Sequence, residues 1–327
     1  MKFIIVGSGN ISSTYVNALR KIENAELAGI VSRTGKKPDV LNNTDIEVAG
    51  SISKIENEFD AAILCTPNAF HHEGAVEAAG IGKHVLTEKP LDISIENMDL
   101  MINSCKKANV KLGVAYQRRT SPDNITVKKL IQENKLGKVF AADLSVKNYR
   151  DDNYYKSSDY RGTWNIDGGG PFMQQASHYV DLYGWFFGKP DKIISLCGTF
   201  LHDIETEDHG AAMFRYNNGM IGTMIASTAA KPGFGAILEI HSEIGTIVME
   251  NDVITSWFID GMDNPGNNSS LEIHTGASTA SVEDTQRHEE IIKDFIQSIN
   301  EDREPMISGE SAKLATEIIL QIYNNRV

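Results

Sequence analysis

The start of the chain restricts its fold more than any other segment does. A short apolar strand, Lys2–Val6, runs directly into the glycine turn GSGNIS at 7–12, and a helical pattern begins at Asn10. Alternation continues through the first third of the chain, with strands predicted at 27–31, 61–65, 84–87 and 111–115 and helices at 10–22, 69–80 and 95–108. This pattern is typical of a parallel sheet with helices on both faces. We therefore expect an α/β, doubly wound domain over residues 1–119.

The pattern changes after about Arg119, where strands joined by short polar turns become frequent. Asn217-Asn218-Gly219 is a typical hairpin turn between two of them. Strands are predicted at 138–149, 211–216, 220–227, 237–241, 246–250 and 254–258, and helices at 124–133, 284–300 and 310–324. We expect residues 120–327 to form an α+β domain with an antiparallel sheet, leaving open whether the last helix packs on the first domain. The Gly-, Asn-, Ser- and Thr-rich stretch 261–283 is predicted to be a mobile loop.

The glycine turn has the spacing of a dinucleotide-binding loop, G-x-G-x-x-[small]. Gly7 permits a tight turn, and Gly9 allows the backbone to approach a pyrophosphate. The amides of Asn10 and Ile11 then open a helix, whose N-terminus attracts negative charge. Because the turn follows a strand and precedes a helix, it predicts a dinucleotide site.

The end of the second strand, Val31-Ser32-Arg33-Thr34, indicates which dinucleotide binds. An acidic side chain at this place holds the ribose hydroxyls of NAD, and this chain has none there. Ser32 and Arg33 instead supply hydrogen-bond donors and positive charge, which suit a 2′-phosphate. The sequence therefore favours NADP, with NAD as the alternative.

A second informative segment, Gly168–Gly188, starts with three glycines and Pro171 and ends at a glycine stop signal. We predict a helix that starts at Pro171 and ends at Gly188, in which Gln174, His178 and Asp181 share a face because they are spaced by four and three residues. A polar stripe of this kind has two interpretations: a satisfied buried hydrogen-bond network, or a catalytic histidine directed into a cleft.

Composition excludes several classes of function. The formal net charge of −13 argues against a nucleic-acid or anionic-membrane surface. The three cysteines are widely spaced, which indicates reduced thiols in a cytoplasmic protein and no metal site. The chain shows no apolar run long enough for a membrane span, and its N-terminal apolar run is too short for a signal peptide.

Three segments together resemble the Gfo/Idh/MocA oxidoreductases: GSGNIS, TPNAFHHEGAVEAAGIGKHVLTEKPL and GTWNIDGGGPFMQQASHYVDLYGWFFG. The resemblance implies an N-terminal Rossmann domain, a C-terminal domain with a mostly antiparallel open sheet, and a nicotinamide in the cleft between them. It implies that Lys89 of the EKP tripeptide contacts cofactor and substrate, and that His178 is the catalytic acid/base. Many relatives have Asp four residues before this histidine. Gln174 stands there in this chain and cannot relay a proton.

The candidate site has catalytic, cofactor-binding and substrate-binding residues. The predicted catalytic residues are Lys89 and His178. The residues expected to bind the cofactor are Gly7, Gly9, Asn10, Ile11, Ser32, Arg33, Thr66, Pro67, Asn68, His71, Glu88, Lys89 and Gln117. The residues expected to bind substrate are Lys89, Tyr155, Arg161, Trp164, Gln174 and His178. An alcohol carbon would give a hydride to nicotinamide while His178, whose reference pKa is about 6.5, takes the hydroxyl proton.

The expected substrate is a carbohydrate-like small molecule, namely a sugar, a polyol or a sugar derivative. Two other functions remain open: redox-neutral glycoside cleavage with a tightly bound cofactor, and a non-catalytic nucleotide-binding regulator. One face of the second sheet is expected to carry exposed apolar residues. We therefore expect a homodimer or homotetramer.

Overall fold

The computed structural model describes residues 1–266 and 285–327. The chain divides into two compact units. The first comprises Met1–Gln117 and the described part of Thr279–Lys313, and the second comprises the described part of Arg118–Ser278 together with Leu314–Val327. The division at 117/118 lies beside the predicted boundary at 119/120, but residues 285–313 group with the first unit. Most of the predicted loop 261–283 lies outside the described residues.

Thirteen strands and eight α-helices form within the described residues. The strands are β1 (Lys2–Val6), β2 (Glu26–Val31), β3 (Glu47–Ala49), β4 (Ala61–Leu64), β5 (His84–Thr87), β6 (Leu112–Val114), β7 (Val139–Lys147), β8 (Lys192–Gly198), β9 (His209–Arg215), β10 (Ile221–Ser227), β11 (Ile237–Ser242), β12 (Gly245–Glu250) and β13 (Val253–Ile259). The helices are α1 (Asn10–Arg20), α2 (His71–Gly80), α3 (Ile95–Lys107), α4 (Pro122–Gln132), α5 (Asp152–Lys156), α6 (Ser177–Phe187), α7 (Gln286–Asn300) and α8 (Gly309–Asn324).

The first unit contains a six-stranded sheet in the order β3-β2-β1-β4-β5-β6, with every pair parallel. Its central strands are buried along their length, and Phe3, Ile4, Ile5 and Ile63 have no exposed surface. Continuous apolar strands are required where helices cover both faces of a sheet. The predicted doubly wound α/β fold is confirmed, and its order places the carboxyl ends of all six strands at one edge.

The second unit contains a seven-stranded sheet in the order β13-β12-β11-β7-β10-β9-β8. All its pairs are antiparallel except β7 with β10. The predicted hairpin is present, because β9 and β10 pair on either side of the turn that contains Gly219, whose φ is +88°. One face of the sheet covers the core and packs on α6, where the Tyr183 hydroxyl donates to the carbonyl of Ala142 at 3.0 Å.

Three elements were not predicted from the sequence: β3, β8 and α5. β3 spans three residues and α5 spans five, so neither is long enough to show a clear periodicity. β8 follows Gly188 and Pro190 and has Ile193 on its buried face but Ile194 and Leu196 on its exposed face. Because apolar residues occupy both faces, β8 lacks the alternation that identifies a half-buried strand.

Candidate active site

The predicted cofactor residues of the first unit follow one strand after another at the carboxyl edge of the parallel sheet. Gly7 follows β1, Ser32 follows β2, Thr66 lies two residues after β4, and Glu88 follows β5. Gln117 begins a short 3₁₀ turn after β6. Ligands of doubly wound sheets bind outside this edge. The fold therefore gathers these residues at the place where a dinucleotide binds.

The glycine turn leaves open space at the N-terminus of α1. Gly7 has φ +112°, and a Cβ at this position would lie 2.6 Å from the carbonyl oxygen of Cys65. Gly9 caps α1 without a side-chain hydrogen bond, and no atom lies within 4 Å of its hypothetical Cβ. The buried Ser12 hydroxyl donates to the carbonyl of Gly7 at 3.0 Å. This geometry suits a pyrophosphate, because uncapped amides face an accessible space.

A chain of hydroxyl groups connects the glycine turn to the end of β2. Ser8 Oγ lies 3.3 Å from Ser32 Oγ, which lies 3.3 Å from Thr34 Oγ1. The exposed Arg33 guanidinium lies 5.3 Å from the ring centroid of Phe70. The expected donors and positive charge are thus present at the position that contacts the adenosine ribose in this fold.

His71 joins the loops that follow β4 and β5. Its Nδ1 lies 2.8 Å from the Pro90 carbonyl oxygen and its Nε2 lies 3.0 Å from the Thr66 carbonyl oxygen, and the residue has no exposed surface. Burial lowers the pKa of His71, although the two carbonyls oppose this effect. Both ring nitrogens therefore face main-chain carbonyls, and the predicted cofactor contact of His71 stays a prediction. The nearby Thr66 Oγ1 is buried without a hydrogen-bond partner among the described residues, which leaves a donor and acceptor for a ligand.

Glu88 supports Lys89 from inside the first unit. Its carboxylate accepts the Tyr15 hydroxyl at 2.7 Å and the Lys89 amide at 3.1 Å, and the residue is only 8% exposed. His288 Nε2 lies 3.8 Å from Glu88 Oε1. Burial alone would raise the pKa of Glu88, but His288, Lys89 and Tyr15 together lower it below its ordinary value. The carboxylate is thus turned inward and holds the loop of Lys89, and the predicted cofactor contact of Glu88 stays a prediction.

Lys89 follows Glu88 directly and is half-buried. Its main-chain amide is fixed by Glu88, and the carbonyl of Pro90 is held by His71. Pro67 and Asn68 begin the 3₁₀ turn that precedes α2. The segments 66–71 and 88–90 are therefore connected by hydrogen bonds, and this connection positions the backbone of Lys89.

The triple glycine of the second unit is needed because two other groups approach its backbone. A Cβ on Gly170 would lie 1.9 Å from the carbonyl oxygen of Glu207, and one on Gly169 would lie 2.2 Å from the Tyr323 hydroxyl. The Glu207 carboxylate accepts the Gly170 amide at 3.0 Å, the Phe172 amide at 3.4 Å and the Tyr323 hydroxyl at 2.8 Å. Burial raises the pKa of Glu207 to about 7. The sequence did not reveal this role of Glu207, because Glu207 lies 37 residues along the chain from Gly170, whose amide it accepts.

The helix that was predicted to start at Pro171 begins six residues later in the structure, at Ser177. A turn closed by Gln174 N to Gly170 O and by Ala176 N to Pro171 O precedes α6, which begins only at Ser177. The glycine-rich backbone and its bonds to Glu207 set this turn apart from the helix. His178 is therefore the second residue of α6 and is half-buried, whereas Gln174 precedes the helix.

Asp181 belongs to a buried ion pair. Arg119 donates from Nε to Asp181 Oδ2 at 2.8 Å and from Nη2 to Oδ1 at 2.6 Å, and the two residues are 3% and 1% exposed. Burial raises the pKa of Asp181, and Arg119 opposes that rise. For Asp181 the interpretation as a satisfied buried network is therefore the correct one, with Arg119 as the partner that the sequence did not reveal.

Hydrogen bonds hold the other predicted substrate residues, which lie in the second unit. Gln174 Nε2 donates to the Asp167 carbonyl at 2.7 Å, and the Asp167 carboxylate accepts the Gly162 amide at 2.8 Å. Trp164 Nε1 donates to the Glu205 carbonyl at 3.0 Å. The Tyr155 hydroxyl lies 2.8 Å from Thr228 Oγ1. Asp167 thus connects the segment of Arg161 and Trp164 to the segment that leads into His178.

Both units match one protein family. Residues 1–116 match the oxidoreductase family with an NAD-binding Rossmann fold, and residues 125–248 match the GFO/IDH/MocA C-terminal domain. The chain belongs to the Gfo/Idh/MocA oxidoreductase family. The resemblance carried by the three sequence segments is confirmed.

Several members of this family are similar over much of the chain. Oxidoreductase P35 from Formosa agariphila is 30% identical over 58% of this chain and 61% of its own length. The myo-inositol 2-dehydrogenase of Thermotoga maritima is 24% identical over 96% of this chain and 93% of its own. The WlbA dehydrogenase of Bordetella pertussis, solved in complex with NADH and UDP-GlcNAcA, is 28% identical, covers 99% of this chain and 95% of its own, and superimposes with a TM-score of 0.87.

Gln174 is the main departure from the Gfo/Idh/MocA pattern. Its amide nitrogen donates to a main-chain carbonyl, and an amide has no proton to exchange near neutral pH. The position therefore keeps a hydrogen-bonding role without acid/base chemistry.

No helix in the described ranges 1–266 and 285–327 is long and apolar enough to span a bilayer.

Proposed function

We propose that this chain is an NAD(P)-dependent dehydrogenase that transfers a hydride between nicotinamide and a hydroxyl or carbonyl carbon of a sugar, a polyol or a sugar derivative. The observation that carries the proposal is the site of the first unit, where an uncapped helix N-terminus follows an open glycine turn and Lys89 is fixed by Glu88 at the same sheet edge. The naming of a full-length relative as a myo-inositol 2-dehydrogenase supports an alcohol substrate.

The bound nicotinamide would supply the hydride chemistry, and this chain's own residues would manage the proton. His178 takes the proton of the reacting hydroxyl during oxidation and returns it during reduction. The Lys89 ammonium stabilises the negative charge that develops on the same oxygen. Gln174 orients the segment before His178 through its bond to Asp167, and it carries no proton.

The proposed cofactor is NADP, with NAD as the alternative. Ser32, Arg33 and Thr34 offer donors where an NAD enzyme uses a carboxylate, and Arg33 is exposed and able to pair with a phosphate. Relatives of both kinds exist: one is named as an NADP(+)-dependent scyllo-inositol 2-dehydrogenase from Bacillus subtilis, and the WlbA structure holds NADH.

We propose in addition that the chain forms a homodimer or homotetramer through the second sheet. On the face opposite the core, β8, β9 and β10 present a patch of large apolar side chains: Ile194, Leu196, Met213 and Ile221. Strand register places these side chains on one face, since Ile194 pairs with Met213 and Arg215 pairs with both Lys192 and Ile221. A patch of this kind is typical of an interface between subunits.

A turnover assay tests the proposed function. Purified protein is incubated with NADP⁺ or NAD⁺ and a panel of glucose, myo-inositol, levoglucosan and glucose 6-phosphate, and the absorbance of reduced nicotinamide is followed. We expect catalytic reduction with at least one alcohol. Tight cofactor binding without turnover would instead identify a regulator. Cleavage of a glycoside without net cofactor reduction would identify the redox-neutral activity.

A further inference from the structure

Two arginines lie against the ring of Tyr154 in the second unit. The Arg161 guanidinium carbon is 4.2 Å from the ring centroid and that of Arg150 is 5.2 Å from it. Tyr154 lies in the short helix α5, and the Asp151 carboxylate caps that helix by accepting the Tyr154 amide at 3.0 Å. Cation–π contact holds each guanidinium plane at the ring but does not neutralise its charge.

The carboxylates near Tyr154 are engaged with the main chain, since Asp151 accepts the Tyr154 amide and Asp167 accepts the Gly162 amide. No carboxylate of the described residues lies within 4.0 Å of the Arg161 guanidinium, and Arg161 Nε is buried without an acceptor there. A half-buried guanidinium in this state is stabilised by an anionic ligand.

The arginine pair adjoins the segment that leads into the proposed catalytic histidine. Gln175 Nε2 donates to the Tyr154 hydroxyl at 3.1 Å, and Gln175 lies three residues before His178. The Asp167 carboxylate accepts the Gly162 amide, and the main-chain carbonyl of Asp167 accepts the Gln174 side-chain amide. Hydrogen bonds therefore connect the residues around Arg161 to the segment that leads into His178.

We infer that the substrate is an acidic sugar, and that its carboxylate or phosphate binds Arg161 beside Tyr154. This inference rests on the proposed dehydrogenase function and narrows its substrate class. The planar guanidinium pairs with two oxygens of either group at once. A neutral sugar or polyol leaves Arg161 without that partner and binds more weakly.

Matched ligands test the inference on the intact protein saturated with NADP(H) or NAD(H). The dissociation constants of D-glucose, D-glucuronate and D-glucose 6-phosphate are measured by calorimetry, because glucose is the neutral counterpart of both acids. We expect one acid to bind at least tenfold more tightly than glucose, which is the usual effect of a charge-assisted contact, about ten- to a hundredfold. Which acid is preferred distinguishes a carboxylate from a phosphate. Equal binding of glucose and both acids overturns the inference.

Variants assign the preference to Arg161. Arg161→Gln should reduce the binding of the preferred acid by about ten- to a hundredfold and leave glucose nearly unchanged. Arg161→Lys should retain part of the preference, because it keeps the charge but loses the two-pronged contact. Arg20→Gln, at an exposed position at the end of α1, is the matched control and should behave as the unmodified protein. An unchanged acid preference in Arg161→Gln overturns the inference.

The titration and the turnover assay separate this inference from the proposed function. Turnover of neutral alcohols without any preference for acids supports the proposed dehydrogenase function and overturns the acidic-sugar inference. Binding of an acid that depends on Arg161, without hydride transfer to or from any tested sugar, supports the anion site and contradicts the proposed function. An unchanged cofactor dissociation constant in each variant shows that the protein remains folded.

Discussion

The Tyr15 hydroxyl donates a 2.7 Å hydrogen bond to Oε1 of Glu88 in the interior of the first unit. Tyr15 lies in α1, the helix whose N-terminus opens the dinucleotide site, and the other carboxylate oxygen of Glu88 accepts the Lys89 amide. The pair therefore fastens the loop of the proposed catalytic lysine to the helix of the cofactor site. Burial raises the pKa of Tyr15 well above its ordinary value, and the Glu88 charge raises it further, so the phenol remains a donor.

Removing the Tyr15 hydroxyl should destabilise the first unit. Tyr15→Phe leaves a buried carboxylate with one donor fewer, which commonly costs about 1–3 kcal/mol. We expect this loss in the free energy of unfolding, measured by urea denaturation near pH 7. Tyr160→Phe is the control, since the Tyr160 hydroxyl makes no hydrogen bond among the described residues. Equal stability of Tyr15→Phe and the unmodified protein would show that the bond contributes nothing.

Arg33 should determine the preference between the two dinucleotides. We expect the unmodified protein to bind NADPH more tightly than NADH, because Arg33 pairs with the 2′-phosphate. Arg33→Ala should weaken NADPH binding by about ten- to a hundredfold and leave NADH binding nearly unchanged. Quenching of tryptophan fluorescence gives both dissociation constants, and Arg20→Ala, at an exposed position at the end of α1, is the control. Equal affinity of the unmodified protein for both cofactors would contradict the prediction.

The features that could be predicted from the sequence are those that depend on residues close to one another along the chain. The order of strand, glycine turn and helix at 2–20 is local, so the parallel sheet and its dinucleotide site could be recognised before the structure was known. The hairpin at Asn217–Gly219 is local for the same reason. The start of α6 is not, because it depends on Glu207 and Tyr323, which approach Gly169 and Gly170 from distant parts of the chain.

The sequence does not show which residues support the candidate site, for the same physical reason. Lys89 stands out in the EKP tripeptide, but its supports Tyr15 and His288 lie 74 residues before it and 199 residues after it. His71 follows a strand as expected, yet whether its ring faces a ligand or two carbonyls depends on where Pro90 lies. Pairings across the chain, and not the residue types, decide these roles.

The apolar patch of the second sheet should hold the subunits together. Met213 is 58% exposed at its centre, and Met213→Glu would place a charge in the proposed interface. We expect a dimer or tetramer for the unmodified protein and a smaller species for the variant, measured by light scattering at micromolar concentration. Ile81→Glu, which charges an exposed apolar position of the first unit, is the control. An unmodified protein that is monomeric would contradict the proposed interface.

Glu207 should make stability depend on pH. Its pKa rises from 4.5 to about 7 on folding, so the folded state binds more protons than the unfolded state between these values. Stability is therefore highest at low pH within this window and falls as pH rises through it. Between pH 5 and pH 8 the unmodified protein should lose about 2–3 kcal/mol relative to Glu207→Gln, which cannot ionise.

Urea denaturation of both proteins at pH 5 and pH 8 measures this difference. Asp203→Asn removes an exposed carboxylate from the same loop and should follow the pH dependence of the unmodified protein. A difference between Glu207→Gln and the unmodified protein that stays constant from pH 5 to pH 8 would exclude a proton-linked role for Glu207.

Lys89 and His178 should be needed for turnover and not for cofactor binding. Each is half-buried, and each is placed by neighbours other than the cofactor: Lys89 by the bond of its amide to Glu88, and His178 by the first turn of α6. Lys89→Met removes the charge that stabilises the developing alkoxide, and we expect it to abolish most of the turnover. His178→Ala removes the proton acceptor, which should reduce kcat by about a hundredfold or more.

The measurement is kcat on the best alcohol from the substrate panel, together with the dissociation constant of the cofactor for each variant. Lys54→Met and His241→Ala replace the same residue types elsewhere in the two units and are the matched controls. A variant that loses cofactor binding in parallel with turnover would assign its residue to the nucleotide site, because an acid/base or alkoxide-stabilising group acts after the cofactor has bound. Full turnover in His178→Ala would show that another group, or solvent, takes the proton, and the proposed mechanism would then fail.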